Sequence, residues 1–129
     1  MQIDKNMKIL VVDDFESVRQ SVKTVLKEIG FVKISEAEDG VRALARLKSD
    51  KYELLITDWN MPNMDGMTLV RMIRGDAALK DMVILMVTAE AEEDHVMEAI
   101  KVGINDYIVK PFTAEVLRKK LEKIFLPHT

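Results

Sequence analysis

Residues 8–14 read Lys8-Ile9-Leu10-Val11-Val12-Asp13-Asp14, and residues 54–58 read Leu54-Leu55-Ile56-Thr57-Asp58. Each is a short apolar run that ends in acid, and each is short enough to be a buried strand. Parallel neighbours in a sheet lie about 5 Å apart. If these two runs pair, three carboxylates converge at one sheet edge. Stability does not ask for that, because like charges so close raise one another's pKa unless a cation neutralises them. The cluster points to a hard metal ion and to chemistry on one carboxylate, Asp58.

Outward from these runs, further apolar stretches recur near residues 33–37, 82–87 and 106–109, each followed by a longer amphipathic segment. That alternation predicts an α/β fold of five βα units around a mostly parallel sheet. The first helix carries Val18, Val22, Val25, Leu26 and Ile29 on one face, with Gly30 as terminator. The second, from Gly40 to Lys48, presents Val41, Leu44 and Leu47, and the third presents Met67, Val70, Ile73 and Arg74 and ends near Gly75. Helices around 91–102 and 113–125 complete the count. Between the third strand and the third helix, Asp58-Trp59-Asn60-Met61-Pro62-Asn63-Met64-Asp65-Gly66 reads as a loop. Residues 1–129 are thus expected to form a single domain with no effector domain.

Composition narrows the function. The chain of 129 residues has no cysteine, which excludes a disulfide framework, a thiol nucleophile and a cysteine zinc site. No run approaches the ~20 apolar residues needed to cross a bilayer, and a cytoplasmic location is expected. A net charge of -3 with both signs interspersed argues against an electrostatic hold on nucleic acid or an anionic membrane. Arg118-Lys119-Lys120 reads as a solvated helix face. Arg74-Gly75-Asp76 matches an adhesion tripeptide, which this composition does not support. His95, among Glu93, Asp94 and Glu98, reads as solvated, and His128 lies in the tail. Met67, Met72, Met82 and Met86 read as core or semi-core filler.

In open parallel sheets, ligands bind beyond the carboxyl ends of the strands. The residues there are Asp13 and Asp14 after the first strand, Asp58 after the third, Thr88 after the fourth and Lys110 after the fifth. Carboxylates with open positions for water and phosphate oxygens suit Mg2+. Lys110 by charge and Thr88 by hydrogen bond can receive phosphoryl oxygens, and Asp58 is placed to attack as an aspartyl nucleophile. Taken singly, Asp13-Asp14 reads as a helix cap, Asp58 as a turn residue, Thr88 as a strand-end hydroxyl and Lys110 as a surface lysine. Their coincidence at matching strand ends favours the site.

These residues carry a resemblance. The stretches Leu10-Val11-Val12-Asp13-Asp14-Phe15, Ala37-Glu38-Asp39-Gly40-Val41, Asp58 to Gly66, Met86-Val87-Thr88-Ala89-Glu90-Ala91 and Tyr107-Ile108-Val109-Lys110-Pro111-Phe112 resemble the receiver domain of two-component response regulators, most closely its single-domain chemotaxis type. The similarity runs from about Met7 to Phe125. It implies a flavodoxin-like, doubly wound, three-layer sandwich with strand order 2-1-3-4-5. It also implies phosphorylation of Asp58 by a histidine kinase or small phosphodonors, with Lys110 and Thr88 on the phosphoryl oxygens. Mg2+ would be held by Asp13, Asp14, Asp58 and the Asn60 carbonyl, with Asp13 acting mainly through water. Thr88 and Tyr107 would form the switch, and Lys110-Pro111 would be cis. The implied partners are the kinase, the flagellar motor switch protein and a phosphatase. The partner face would comprise Glu93, Val96, Ile100, Tyr107 and Lys120 on a monomer.

The chain departs from that pattern at Glu92 and Glu93, where motor-binding members carry lysines, and at Ile100 and Ile104, where alanines are usual. Asp106 stands where glycine is common, and Glu16 replaces a small hydroxyl residue. A phosphate sink or an adaptor for another target is therefore a second reading. A magnesium-dependent phosphohydrolase, the third, needs a second acid close after Asp58 and a substrate cover, and neither is evident. Self-phosphorylation and self-dephosphorylation are the only catalysis expected.

Overall fold

The computed structural model describes residues 4–89 and 93–125, without the side chain of Glu93. Five strands, β1 (Lys8–Val12), β2 (Lys33–Ala37), β3 (Leu54–Thr57), β4 (Val83–Thr88) and β5 (Asp106–Val109), form one parallel sheet in the order β2-β1-β3-β4-β5. They alternate with α1 (Glu16–Ile29), α2 (Gly40–Ser49), α3 (Gly66–Arg74), α4 (Glu93–Val102) and α5 (Ala114–Phe125). The architecture is the expected doubly wound sandwich.

Side chains along a strand point alternately to the two faces, and the two cores follow that rule. Leu10, Val12, Leu55, Ile84 and Met86 pack with Ala43 and Leu47 of α2, Met67, Val70 and Ile73 of α3 and Ala99 of α4. Ile9, Val11, Leu54, Ile56, Leu85 and Val87 pack with Val22 and Leu26 of α1 and Leu117 and Leu121 of α5. The central strands β1, β3 and β4 are almost wholly buried, which is why their sequences run apolar without alternation. The edge strand β2, Lys33-Ile34-Ser35-Glu36-Ala37, is half-exposed, and its polar residues protect a free edge.

Two expected core positions are corrected. Val41 is 50% exposed and Met72 42% exposed. The inward stripe of α2 is set by Ala43 and Leu47, and that of α3 by Leu69, Val70 and Ile73. On a 3.6-residue period, Val41 and Met72 fall off those stripes. Met67, Met82 and Met86 are buried as expected.

Arg74 closes α3 onto its neighbours. Its guanidinium donates to the carbonyls of Gly103 (2.7 Å), Lys80 (2.7 Å) and Met82 (2.6 Å) and to Asn105 Oδ1 (3.1 Å). The first residue of the adhesion-like tripeptide is therefore engaged inside the fold. No helix among the described residues is long and apolar enough to cross a membrane.

Candidate functional site

The register of β1 against β3 brings Val12 opposite Thr57, so the residues that follow, Asp13 and Asp58, leave the sheet side by side. The Asp58 N–H donates to the Val12 carbonyl at 3.0 Å, and the Asp13 N–H to the Ala37 carbonyl at 3.3 Å. Ligand-capable oxygens of Asp13, Asp14 and Asp58 all lie within 4.8 Å of one another. Asp13 and Asp58 are buried, at 2% and 7% exposure, and Asp14 is exposed. The acid pair does not cap α1: the capping position is Phe15, with no side-chain cap bond.

Lys110, at the end of β5, crosses the sheet edge to these acids. Its Nζ lies 2.8 Å from Asp13 Oδ2 and 3.2 Å from Asp58 Oδ2. Its backbone N–H donates to the carbonyl of Thr88 at 2.8 Å, which ties the ends of β4 and β5 together. Thr88 is 1% exposed, and Lys110-Pro111 is cis. Burial pushes the Asp58 carboxyl above the usual carboxylate range, with the Asp13 charge adding to that and Lys110 opposing it. For Lys110 itself burial disfavours the ammonium, but the hydrogen bonds and charges of Asp13 and Asp58 outweigh burial and raise its pKa. Lys110 thus pairs with Asp13 and Asp58 while Asp14 stands beside them exposed, and the donor set is hard oxygen. A divalent cation with high affinity for water and phosphate oxygens fits such a set.

The loop after Asp58 folds back on the site. The Gly66 N–H donates to the Trp59 carbonyl at 2.7 Å, and Asn63, with φ of 70°, donates from Nδ2 to Asp39 Oδ2 at 2.9 Å. A Cβ at Gly66 would lie 2.2 Å from the Asp58 carbonyl oxygen and 3.0 Å from Trp59 Cα. Both are backbone atoms of the site, so neither can swing aside. Gly66→Ala is therefore expected to destabilise the fold by about 3 kcal/mol, the upper range for overpacking, and to weaken Mg2+ binding. Urea unfolding and a Mg2+ titration would check this, and unchanged values in both would refute the close-approach argument. The sequence signal was the Asp65-Gly66 step, which reads as a turn but not as a contact with Asp58.

Asn60 is exposed two residues after Asp58. Trp59 is half-buried, with the His95 ring tilted against it at 5.7 Å between centroids. His95, expected as a solvated residue, thus links α4 to the Asp58 loop. On the expected partner face, Ile100 is 52% exposed while Tyr107 and Lys120 are half-buried. Val96 is 8% exposed, and its neighbour Met97 presents to solvent instead. Val96 and Ala99 lie on the inward stripe of α4, which corrects the expectation at that position. Glu92 and the side chain of Glu93 lie outside the described residues. Lys120 Nζ pairs with Asp106 Oδ1 at 3.0 Å and sits 5.2 Å from the centre of the Tyr107 ring. Arg118 and Lys119 pair with Glu115 on their own helix, as expected of a solvated face.

The response regulator receiver domain family model matches residues 9–122, and the chain belongs to that family. It is similar to the chemotaxis protein CheY of Pseudomonas aeruginosa, at 52% identity over 119 residues, covering 92% of this chain and 96% of that protein. Among solved structures it is similar to the chemotaxis response regulator CheY4 of Vibrio cholerae, with a TM-score of 0.86 at 36% identity, covering 92% of this chain and 98% of that one. It is also similar to the receiver domain of a sensor histidine kinase from Pseudomonas aeruginosa, which has a magnesium ion coordinated in its active-site cleft. There the TM-score is 0.83 at 25% identity, covering 93% of this chain and 98% of that one.

Proposed function

We propose that this protein is a phosphorylation-controlled response regulator of chemotaxis, which accepts phosphate on Asp58 and in that state binds the flagellar motor switch. The observation that carries the reading is Lys110 Nζ at 2.8 Å from Asp13 and 3.2 Å from Asp58. A fixed cation there sits beside the oxygen that would take up the phosphoryl group. An Asp58 oxygen attacks phosphorus, the bond from phosphorus to a histidine nitrogen of the kinase breaks, and the nitrogen keeps the electron pair. Asp13, Asp14, Asp58 and the Asn60 carbonyl would hold Mg2+, which when bound neutralises the acids and the phosphoryl oxygens. Thr88 and Lys110 then hold the phosphoryl group, and Tyr107 reports the change on the face made by α4, β5 and α5.

Charge supplies the differential interaction that such a two-state switch requires. The test is binding of a labelled N-terminal peptide of the flagellar switch protein, with Mg2+ and with or without beryllofluoride as phosphate mimic. Tightening by about tenfold, or about 1.4 kcal/mol of coupling, is expected, with Trp59 emission reporting mimic binding in the same sample. One observation favours a phosphate sink or an adaptor instead: Lys120 is already paired with Asp106 and covers Tyr107. A Trp59 response without gain in peptide affinity would select that reading.

A further inference from the structure

Arg19 is a charged residue on the buried stripe of α1. Val18, Val22, Val25, Leu26 and Ile29 face the sheet, and Arg19 falls among them at 8% exposure. A buried charge costs several kcal/mol when unpaired, and an apolar residue of similar volume is often no less stable at such a place. Packing therefore gives little reason for a guanidinium here, whereas its hydrogen bonds do. Nε donates to Glu36 Oε1 at 2.7 Å, and Nη1 donates to the Asp13 carbonyl oxygen at 2.7 Å. Lys23 holds the other Glu36 oxygen at 2.7 Å. The hydrogen bonds from Lys23 and then Arg19 keep the Glu36 carboxyl below the usual range. Glu36 anchors the guanidinium to β2, and the guanidinium reaches the peptide that joins Asp13 to Asp14.

That peptide lies just past the end of β1, beyond the part of the ladder that would fix it. Two of the three acids are also held through their side chains. Asp13 accepts from the Phe15 N–H at 2.9 Å and from Lys110, and Asp58 accepts from the Trp59 N–H at 2.7 Å and from Lys110. The Asp14 carboxylate is exposed and has no hydrogen bond or ion pair among the described residues. Its backbone fixes where its Cβ, and hence the reach of the carboxylate, begins.

We propose that Arg19 is a positioning residue of the metal site, holding the Asp13–Asp14 peptide so that the Asp14 carboxylate stays within ligand distance of Asp13 and Asp58. This rests on the Mg2+ reading above. Bulk electrostatics and positioning predict opposite signs when Arg19 is removed. Loss of a positive charge near three acids favours a divalent cation, whereas loss of the fixed peptide disfavours it.

The experiment is a Mg2+ titration of the full chain, followed by Trp59 emission and by the rise in thermal midpoint, for wild type, Arg19→Met and Arg19→Lys. Mg2+-free urea unfolding runs alongside. Arg19→Met is expected to fold and to bind Mg2+ about tenfold more weakly, within the range for removing a residue that orients a metal ligand. Arg19→Lys keeps the charge but lacks the fork that spans Glu36 and Asp13, and is expected to bind more weakly too. Equal or tighter binding by Arg19→Met overturns the proposal. If that variant does not fold, wild-type affinity in Arg19→Lys overturns it. A wild type that shows no Mg2+ response overturns the metal reading and the role of Arg19 together. A wild-type response that both variants match overturns the role of Arg19 alone.

Discussion

Asp58→Asn is expected to abolish phosphate incorporation from small phosphodonors, measured by intact mass, because an amide offers no anionic oxygen to attack phosphorus. The Trp59 response to beryllofluoride should vanish with it. The same variant is expected to be more stable than wild type in Mg2+-free buffer at neutral pH. Burial and the neighbouring Asp13 charge raise the Asp58 pKa, so its ionised form is a net burden on the folded state. An acid with a raised folded pKa binds a proton that the unfolded chain has already lost. Its contribution to stability is full below the unfolded pKa of about 3.9 and is lost as pH rises through the folded value. The advantage of Asp58→Asn is therefore absent at strongly acid pH and complete above the folded pKa of Asp58. Glu36 and Asp39 have lowered pKa values, stabilise above their unfolded pKa and lose that on acidification, but they are common to both proteins and cancel in the difference. A pH series of urea midpoints with a constant offset between the two proteins would refute this account. Phosphate still incorporated into Asp58→Asn would refute the assignment of the acceptor.

Strand ends were the legible part of this protein. Apolar runs of four to six residues name the central strands β1, β3 and β4 because a strand buried on both faces needs no alternation, whereas the edge strand β2, Lys33-Ile34-Ser35-Glu36-Ala37, is half-exposed and carries no such run. A ligand site at their carboxyl ends follows from the geometry of parallel sheets. Asp13, Asp14, Asp58 and Lys110 converge as that reasoning expects. Other features depend on distances that periodicity does not encode. Val41 and Met72 sit at plausible helical spacings, but the stripe is fixed by which neighbour the helix meets, and Ala43 meets the sheet where Val41 does not. Gly66 reads as punctuation, yet its missing Cβ is what lets α3 begin against the Asp58 carbonyl. The stripe of α1 was read from its apolar residues alone, so Arg19 was passed over, and its partner Glu36 lies on β2, out of reach of any local pattern. His95 belongs to the same class: acidic neighbours in sequence suggest solvent, while the fold brings the Trp59 ring against it.

Lys110→Ala should separate metal binding from switching, since two effects of opposite sign meet in that side chain. Without metal, its ammonium is the cation that bridges Asp13 and Asp58. Removing it leaves the buried acids uncompensated; breaking a fully buried pair costs about 3–5 kcal/mol, and less here because solvent reaches Lys110 and Asp14. With metal, the same ammonium is a competitor. Its loss removes a repulsive charge within a few ångströms of the ion, so Mg2+ affinity is expected to rise by about tenfold, or ~1.4 kcal/mol. Phosphate or beryllofluoride is still expected to reach Asp58 in the variant, with a Trp59 response. What the variant is expected to lose is the pull that a new phosphoryl charge would exert on the end of β5. Lys110 lies three residues after Tyr107 and is hydrogen-bonded through its backbone to Thr88, so its side chain would connect a phosphoryl group on Asp58 to Thr88 and Tyr107, the proposed switch residues. Peptide affinity in Lys110→Ala is accordingly expected to stay at the unphosphorylated level whatever occupies Asp58. Full tightening of the peptide in this variant would show that Thr88 carries the signal alone, and weaker Mg2+ binding would show that Lys110 orders the acids more than it repels the ion.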